Sequence, residues 1–182
     1  MVHYTERDIE RMLITEDQIK QRVNEIADQI SHDYEGKDLV AICILRGCCF
    51  FFSDLMKQVT IPVDLEFMAT SSYGNSAESS GNVSILYDIQ TDIQGKSVLI
   101  VEDIIDTGIT LRQLKKLLAG REPESIDICV LLDKKERRVT PVEVKYTGFE
   151  IPNAFVVGYG LDYANRYRNY KQIGILKPEI YE

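Results

Sequence analysis

The sequence predicts an α/β fold with a mostly parallel central sheet flanked by helices. Three observations predict it. Short apolar runs of strand length recur along the chain, segments of helical period lie between them, and Gly-, Ser- or Asn-containing breaks mark the junctions. Thr15 opens a helix in which Ile19, Val23, Ile26 and Ile30 share one face. Leu39–Leu45 is a continuous apolar run, read as a buried strand, and Phe50–Val59 is the helix after it. Val63–Met68 alternates Val63, Leu65 and Phe67 with Asp64 and Glu66, the period of a half-buried strand. Residues 70–82, rich in Ser, Gly and Asn, read as a loop, and Val83–Tyr87 as a strand leaving it. Gly95-Lys96 turns the chain into the strand Ser97–Val101. Ile109, Leu111, Leu114, Leu117 and Leu118 then take up helical spacing. Ile126–Leu132 is another buried strand; Val142–Tyr146 and Phe155–Val157 are further candidates. Ligands of such sheets bind at the carboxyl ends of the strands, so the loops there are where chemistry is expected.

Composition narrows the function. A length of 182 residues, 45% of them hydrophobic, suits one domain with a real core. The net charge of −8 argues against a nucleic-acid binder, which needs a basic face. It leaves room for a phosphate pocket, which needs only local donors. The cysteines (Cys43, Cys48, Cys49, Cys129) form no C-x-x-C pair, so reduced thiols in a cytoplasmic protein are the simple reading. The polar N-terminus shows no signal peptide, and no apolar run is long enough to cross a bilayer, so no membrane partner is expected. With two histidines, His3 and His32, a His-centred triad or His-rich metal site is disfavoured.

The segment Val98–Leu111, VLIVEDIIDTGITL, concentrates the chemistry. A buried strand ends at Glu102-Asp103, a short loop carries Asp106, Thr107 and Gly108, and a helix opens near Thr110. A helix N-terminus offers unpaired N–H groups and a favourable dipole to an anion. One end of this loop therefore suits a phosphate and the other a diol or a metal. A lone Asp-Thr-Gly would more simply cap a helix; the whole string is more specific. Neither a G-x-x-x-x-G-K-[ST] loop nor a G-x-G-x-x-G after a strand is present.

This string resembles the signature of the type I phosphoribosyltransferases, enzymes that use 5-phosphoribosyl pyrophosphate (PRPP). The resemblance narrows to their bacterial hypoxanthine-guanine branch through ILRGCCFFFSDL, SSYG with ESSG, and LLDKKERR followed by GFEIPNAFVVGYGLDYANRYRN. It implies a small hood over the sheet, formed by N- and C-terminal segments, and a flexible lid at about residues 70–82 on a single domain spanning 1–182. It implies Mg2+ as cofactor, with PRPP and hypoxanthine or guanine as substrates, and a homodimer or homotetramer. Residue by residue, Glu102 and Asp103 match the acidic pair along the ribose hydroxyls and magnesium, and Asp106 the carboxylate beside the purine N7, the general base or acid. Thr107, Gly108, Ile109 and Thr110 match the cradle of the 5′-phosphate. Leu45-Arg46-Gly47 matches the pyrophosphate loop, with a non-proline cis peptide before the basic residue, and Arg168 a further pyrophosphate contact. Lys134 matches the donor to purine O6, Phe155 the aromatic stacked on the base, and Val156 the backbone contact to the base edge. Asp162 matches a carboxylate near the purine 2-position that joins a second magnesium. Ser72 and Tyr73 match the lid tip.

Each residue also has a plainer reading: Lys134 a solvated member of a charged run, Phe155 a core ring, Arg168 a surface cation, and the lid an ordinary loop. The chain departs from the family at Arg46 (many relatives have Lys), at Cys48 (a smaller residue is common), at Lys135, at Asn153 and at Tyr170-Lys171. Two other classes compete. One is a regulatory RNA-binding relative, disfavoured by the charge. The other is a receiver-like domain, whose acids would lie on separate strands.

Overall fold

The computed structural model describes residues 4–71 and 84–182. After α1 (Tyr4–Asp8) and β1 (Ile9–Ile14) comes α2 (Glu16–Asp33). Thr15 caps α2 reciprocally. Its hydroxyl accepts the Gln18 N–H at 3.3 Å, and the Gln18 side chain accepts the Thr15 N–H at 2.9 Å. Then follow β2 (Leu39–Leu45), α3 (Cys49–Gln58), β3 (Asp64–Ser71), β4 (Ser84–Tyr87), β5 (Ser97–Ile105) and α4 (Ile109–Ala119). β6 (Ser125–Asp133) leads through a 3-10 turn (Lys135–Arg137) to β7 (Tyr146–Glu150), β8 (Val156–Val157), β9 (Ile173–Leu176) and α5 (Pro178–Tyr181).

The main sheet has the order β4-β3-β2-β5-β6-β7, parallel except for β4. The central strands are apolar on both faces because helices cover both. Ala41, Cys43, Leu99, Val101, Cys129 and Leu131 face α2 and α3. Their neighbours Val40, Ile42, Val98, Ile100, Ile128 and Val130 face Leu111, Leu114 and Leu118 of α4. From β2 the chain first moves outward to β3, then returns to the other side of β2 to lay down β5. The strand order therefore reverses between β2 and β5, and a crevice opens beyond their carboxyl ends.

A second, three-stranded antiparallel sheet, β1-β9-β8, joins the two ends of the chain. It is the small hood. Two of its strands, β1 and β9, escape the sequence reading. Several other boundaries move. The strand expected at Val142–Tyr146 instead begins at Tyr146; Val142 and Val144 pack against the α4-side core before the ladder starts. β5 continues to Ile105, so Glu102 and Asp103 lie inside the strand rather than at its end. α4 opens at Ile109 rather than Thr110, and β6 runs through Asp133. Thr70, read as loop, belongs to β3.

Candidate active site

A cleft of about 240 Å3 sits at the crevice and is lined by Leu45, Thr70, Glu102–Gly108, Thr110 and Leu111. A larger concavity of about 490 Å3 lies between α2, α3 and residues 159–171. Within it Lys20 pairs with Glu16, and Lys57 with Asp54, which also accepts the Tyr159 hydroxyl. The smaller cleft is the one that gathers chemistry.

β5 delivers the acids. Asp103 is buried and Glu102 half-buried, and the Glu102 carboxylate accepts the Asp103 N–H at 3.3 Å. Burial, and then the like charge of Asp103, pushes the Glu102 carboxyl well above the ordinary range; burial raises Asp103 as well. A cation bound beside them would favour the charged forms that burial opposes.

The cradle begins at Gly108, whose φ of 83° is left-handed backbone open to glycine at little cost. A Cβ there would also lie 2.7 Å from the Thr140 carbonyl oxygen. Gly108 gives α4 no side-chain cap and the first turn holds no acidic residue; the Ile109 N–H donates weakly to the Thr107 hydroxyl at 3.4 Å, and the helix end still favours an anion. Thr107 is tied down from behind, its carbonyl accepting the N–H groups of Val139 and Thr140 at 3.1 Å each.

On the β2 side the Leu45–Arg46 peptide is cis, as the resemblance implies. Gly47 lies so close to β5 that a Cβ would fall 1.7 Å from Asp103 Oδ2. A Cβ on Gly160 would in turn fall 1.9 Å from the Gly47 carbonyl oxygen. The Asp103 carboxylate, the loop backbone and the hood segment are therefore stacked in direct contact. Cys48, the larger residue at a position where the family is small, is accommodated. It is buried, and its thiol donates to the Val101 carbonyl at 3.1 Å. Burial pushes that thiol well up, so it stays protonated.

Lys134 follows β6 directly, and its N–H donates to the Ile105 carbonyl at 3.0 Å. It is buried, not a solvated member of the charged run, and burial lowers its ammonium pKa. Phe155 and Val156 lie in the hood. Tyr181 stacks on Phe155 at 4.8 Å between centroids, and Tyr163 makes a T-shaped contact with it at 5.7 Å. Asp162 and Arg168 are paired with each other at 2.6 Å; Arg168 also donates to the Gly160 carbonyl at 2.6 Å. The metal ligand and the pyrophosphate contact expected at these positions thus start as partners. Ser72 and Tyr73, with most of the expected lid, lie outside the described residues.

The structure also adds residues that the sequence reading passed over. Arg137 Nε lies 3.0 Å from Asp106 Oδ1, and Arg138 Nε donates to the Asp106 carbonyl at 3.3 Å. Arg138 also pairs with the buried Asp133 at 2.5 Å. A charged turn directly after a strand that neighbours an acidic one was the available signal.

The donor set fits magnesium. Among the described residues no three His, Cys, Asp or Glu side chains form a closed cage. Mg2+ keeps several waters and is commonly bound through one or two carboxylates plus substrate phosphates, which is what Glu102 and Asp103 beside the cradle provide.

A family model for the phosphoribosyl transferase domain matches residues 13–164. The hypoxanthine-guanine phosphoribosyltransferase of Mycobacterium tuberculosis is 47% identical over 181 residues, covering 96% of this chain and 90% of that protein. The Bacillus subtilis protein of the same name is 46% identical over 175 residues, covering 96% and 97%. A solved hypoxanthine phosphoribosyltransferase from Staphylococcus aureus superposes with a TM-score of 0.96 at 44% identity, covering 100% of this chain and 99% of the other. The chain belongs to the phosphoribosyltransferase family, in its hypoxanthine-guanine branch.

Proposed function

We propose that this protein serves purine salvage by transferring the 5-phosphoribosyl group of PRPP to hypoxanthine or guanine, giving IMP or GMP and pyrophosphate. The observation that carries the reading is the single cleft in which Glu102, Asp103 and Asp106 adjoin a helix N-terminus whose first turn holds no acidic residue. The purine imidazole nitrogen forms a bond to the anomeric carbon as the bond from that carbon to pyrophosphate breaks. Residues 107–110 hold the 5′-phosphate. Arg46, the Gly47 backbone and Arg168 receive the pyrophosphate, which requires Arg168 to share or leave Asp162. Glu102 and Asp103, with Asp162 as a second position, would hold Mg2+, which neutralises the leaving charge when bound. Asp106 accepts the proton that the imidazole ring loses. Phe155 and Val156 meet the base, and Lys134 donates to its O6. An amino group at that position would meet a cation with no acceptor to offer it, so adenine is disfavoured.

Self-association belongs to the same reading. Leu65 and Phe67 on β3, at 50% and 40% exposure, and Leu86 and Tyr87 on β4, at 70% and 47%, present apolar surface at one sheet edge. A dimer or tetramer covers such surface, and light scattering on the purified protein tests it. The four cysteines are free, and we place the protein in the cytoplasm, where thiols stay reduced. Among the described residues no helix is long and apolar enough to cross a membrane.

The deciding experiment is incubation with PRPP and, separately, hypoxanthine, guanine, xanthine and adenine, with and without chelator. The reading expects turnover of hypoxanthine or guanine that the chelator abolishes. Adenine turnover equal to hypoxanthine would remove Lys134 from its role.

A further inference from the structure

We propose that Arg137 is a positioning residue that fixes which carboxylate oxygen of Asp106 receives the purine proton. This rests on the general-base reading of Asp106. Oδ1 of Asp106 is fully buried and makes no aligned hydrogen bond, yet Arg137 Nε sits 3.0 Å from it. The contact is an ion pair that covers one oxygen. The Asp106 side chain as a whole stays 38% exposed, so access to the carboxylate runs through Oδ2.

Arg137 is itself well held. Its N–H donates to the Lys134 carbonyl at 3.0 Å, closing the 3-10 turn, and the Arg138 N–H donates to the Lys135 carbonyl at 3.2 Å. Arg138 then grips the Asp106 carbonyl and the buried Asp133 carboxylate. Consecutive arginines thus hold Asp106 twice, one by its main chain and one by its side chain. The turn that carries them begins at Lys134, the residue assigned to the base. Base recognition and proton acceptance are therefore aligned by one short segment. A free aspartate would present either oxygen in several rotamers; a general base must lie within hydrogen-bond reach of one particular proton.

The test is a double-mutant cycle of Arg137→Ala and Asp106→Asn on the full chain, read as kcat and as separate KM values for PRPP and hypoxanthine. Arg137 is 47% exposed, so the variant keeps the fold, and a thermal midpoint verifies this; Arg137→Gln is the second variant should alanine unfold. Arg137→Ala is expected to lower kcat about 10-fold, the scale of a modest misplacement, with the PRPP KM within about 2-fold. In the Asp106→Asn background the same change is expected to cost less than about 2-fold, because the group it orients is gone. An unchanged kcat, or an equal loss in both backgrounds, overturns the proposal. So does a gain in kcat/KM for hypoxanthine, which would make Arg137 a competitor for Asp106. Near-normal kcat in Asp106→Asn alone would instead remove the general-base reading, an outcome separable from any result on Arg137.

Discussion

On the proposed function, Lys134 sets much of the base selectivity through one donor. The residue is buried, and burial lowers the pKa of its amine, so a contact with O6 would form where water competes little. A hydrogen bond from a charged group contributes about 1.5–3 kcal/mol, roughly 10- to 100-fold in affinity. Lys134→Ala should raise the hypoxanthine KM by about that factor and leave the PRPP KM nearly unchanged, as initial rates with each substrate varied in turn would reveal. A comparable rise in both would place Lys134 in the structure rather than against the base. At Gly47 the expectation is harsher. Its missing Cβ position is filled by Asp103 Oδ2. Gly47→Ala must displace either the loop or the acid, and kcat should fall by at least about 100-fold while the thermal midpoint changes little. A Gly47→Ala enzyme with normal turnover would show that the close approach is irrelevant to the chemistry. The sequence shows Gly47 as a glycine in a matching motif; the clash that requires it depends on a residue 56 positions later.

The elements that could be read were those whose pattern is set by burial on both faces. Leu39–Leu45 and Ser97–Val101 are apolar at every or nearly every position because helices cover both sides of the sheet. β1 has Glu10, Arg11 and Met12 exposed, so no apolar run marks it, and β9 is four residues long. They pair only because the chain ends meet, which no local pattern encodes. Val142–Lys145 misled for the opposite reason: its alternation is real, but it reflects packing beside α4, and the ladder begins one residue later. The cradle was legible because strand, acids, glycine and helix are consecutive. The arginine turn was not, because its partner Asp106 arrives from another strand.

One link between α2 and β6 yields a pH prediction. The Tyr34 hydroxyl, at the end of α2, donates to Asp127 Oδ2 on β6 at 2.6 Å, and Lys145 donates to the same oxygen at 3.0 Å. Burial pushes the Asp127 carboxyl up, but these two hydrogen bonds outweigh it and hold the pKa below its ordinary value. A carboxyl depressed in the folded state adds stability above its unfolded pKa, about 3.9, and loses it as pH falls through the folded value. Tyr34→Phe should therefore cost about 1–2 kcal/mol at pH 7, and the gap should narrow below about pH 4. Urea unfolding of both proteins across that range checks it, and a gap that widens in acid would contradict it.

For the whole molecule, ligand and metal should act together on stability. The cleft holds two carboxylates whose ionisation burial opposes, and a helix end with no acidic residue in its first turn. On the proposed function, PRPP with Mg2+ would relieve both. At about 100 times its Kd a ligand adds about 2.7 kcal/mol, roughly 5–10 °C in thermal midpoint for a chain of this size. PRPP with Mg2+ should produce that shift, and chelator should remove most of it at the same PRPP concentration. A shift insensitive to chelator would separate PRPP binding from the acidic pair.

The stack of Asp103, Gly47 and Gly160 also bears on how such an enzyme can change over time. Where two missing Cβ positions are filled by neighbours at 1.7 and 1.9 Å, no substitution is a small step. Any side chain there moves the Asp103 carboxylate or separates hood from core, so the Gly47 side of the cleft is closed to gradual adjustment. The start of the turn, at 135 and 136, is open to it. Both residues are exposed, and they follow directly on Lys134, the residue proposed to meet the base, whereas Arg137 is held against Asp106. New base preferences should arise by drift in that turn, with the leaving-group side inherited unaltered. Saturation libraries at 47 and 160 should then return almost only glycine, whereas libraries at 135 and 136 should return active enzymes whose hypoxanthine-to-guanine ratios differ.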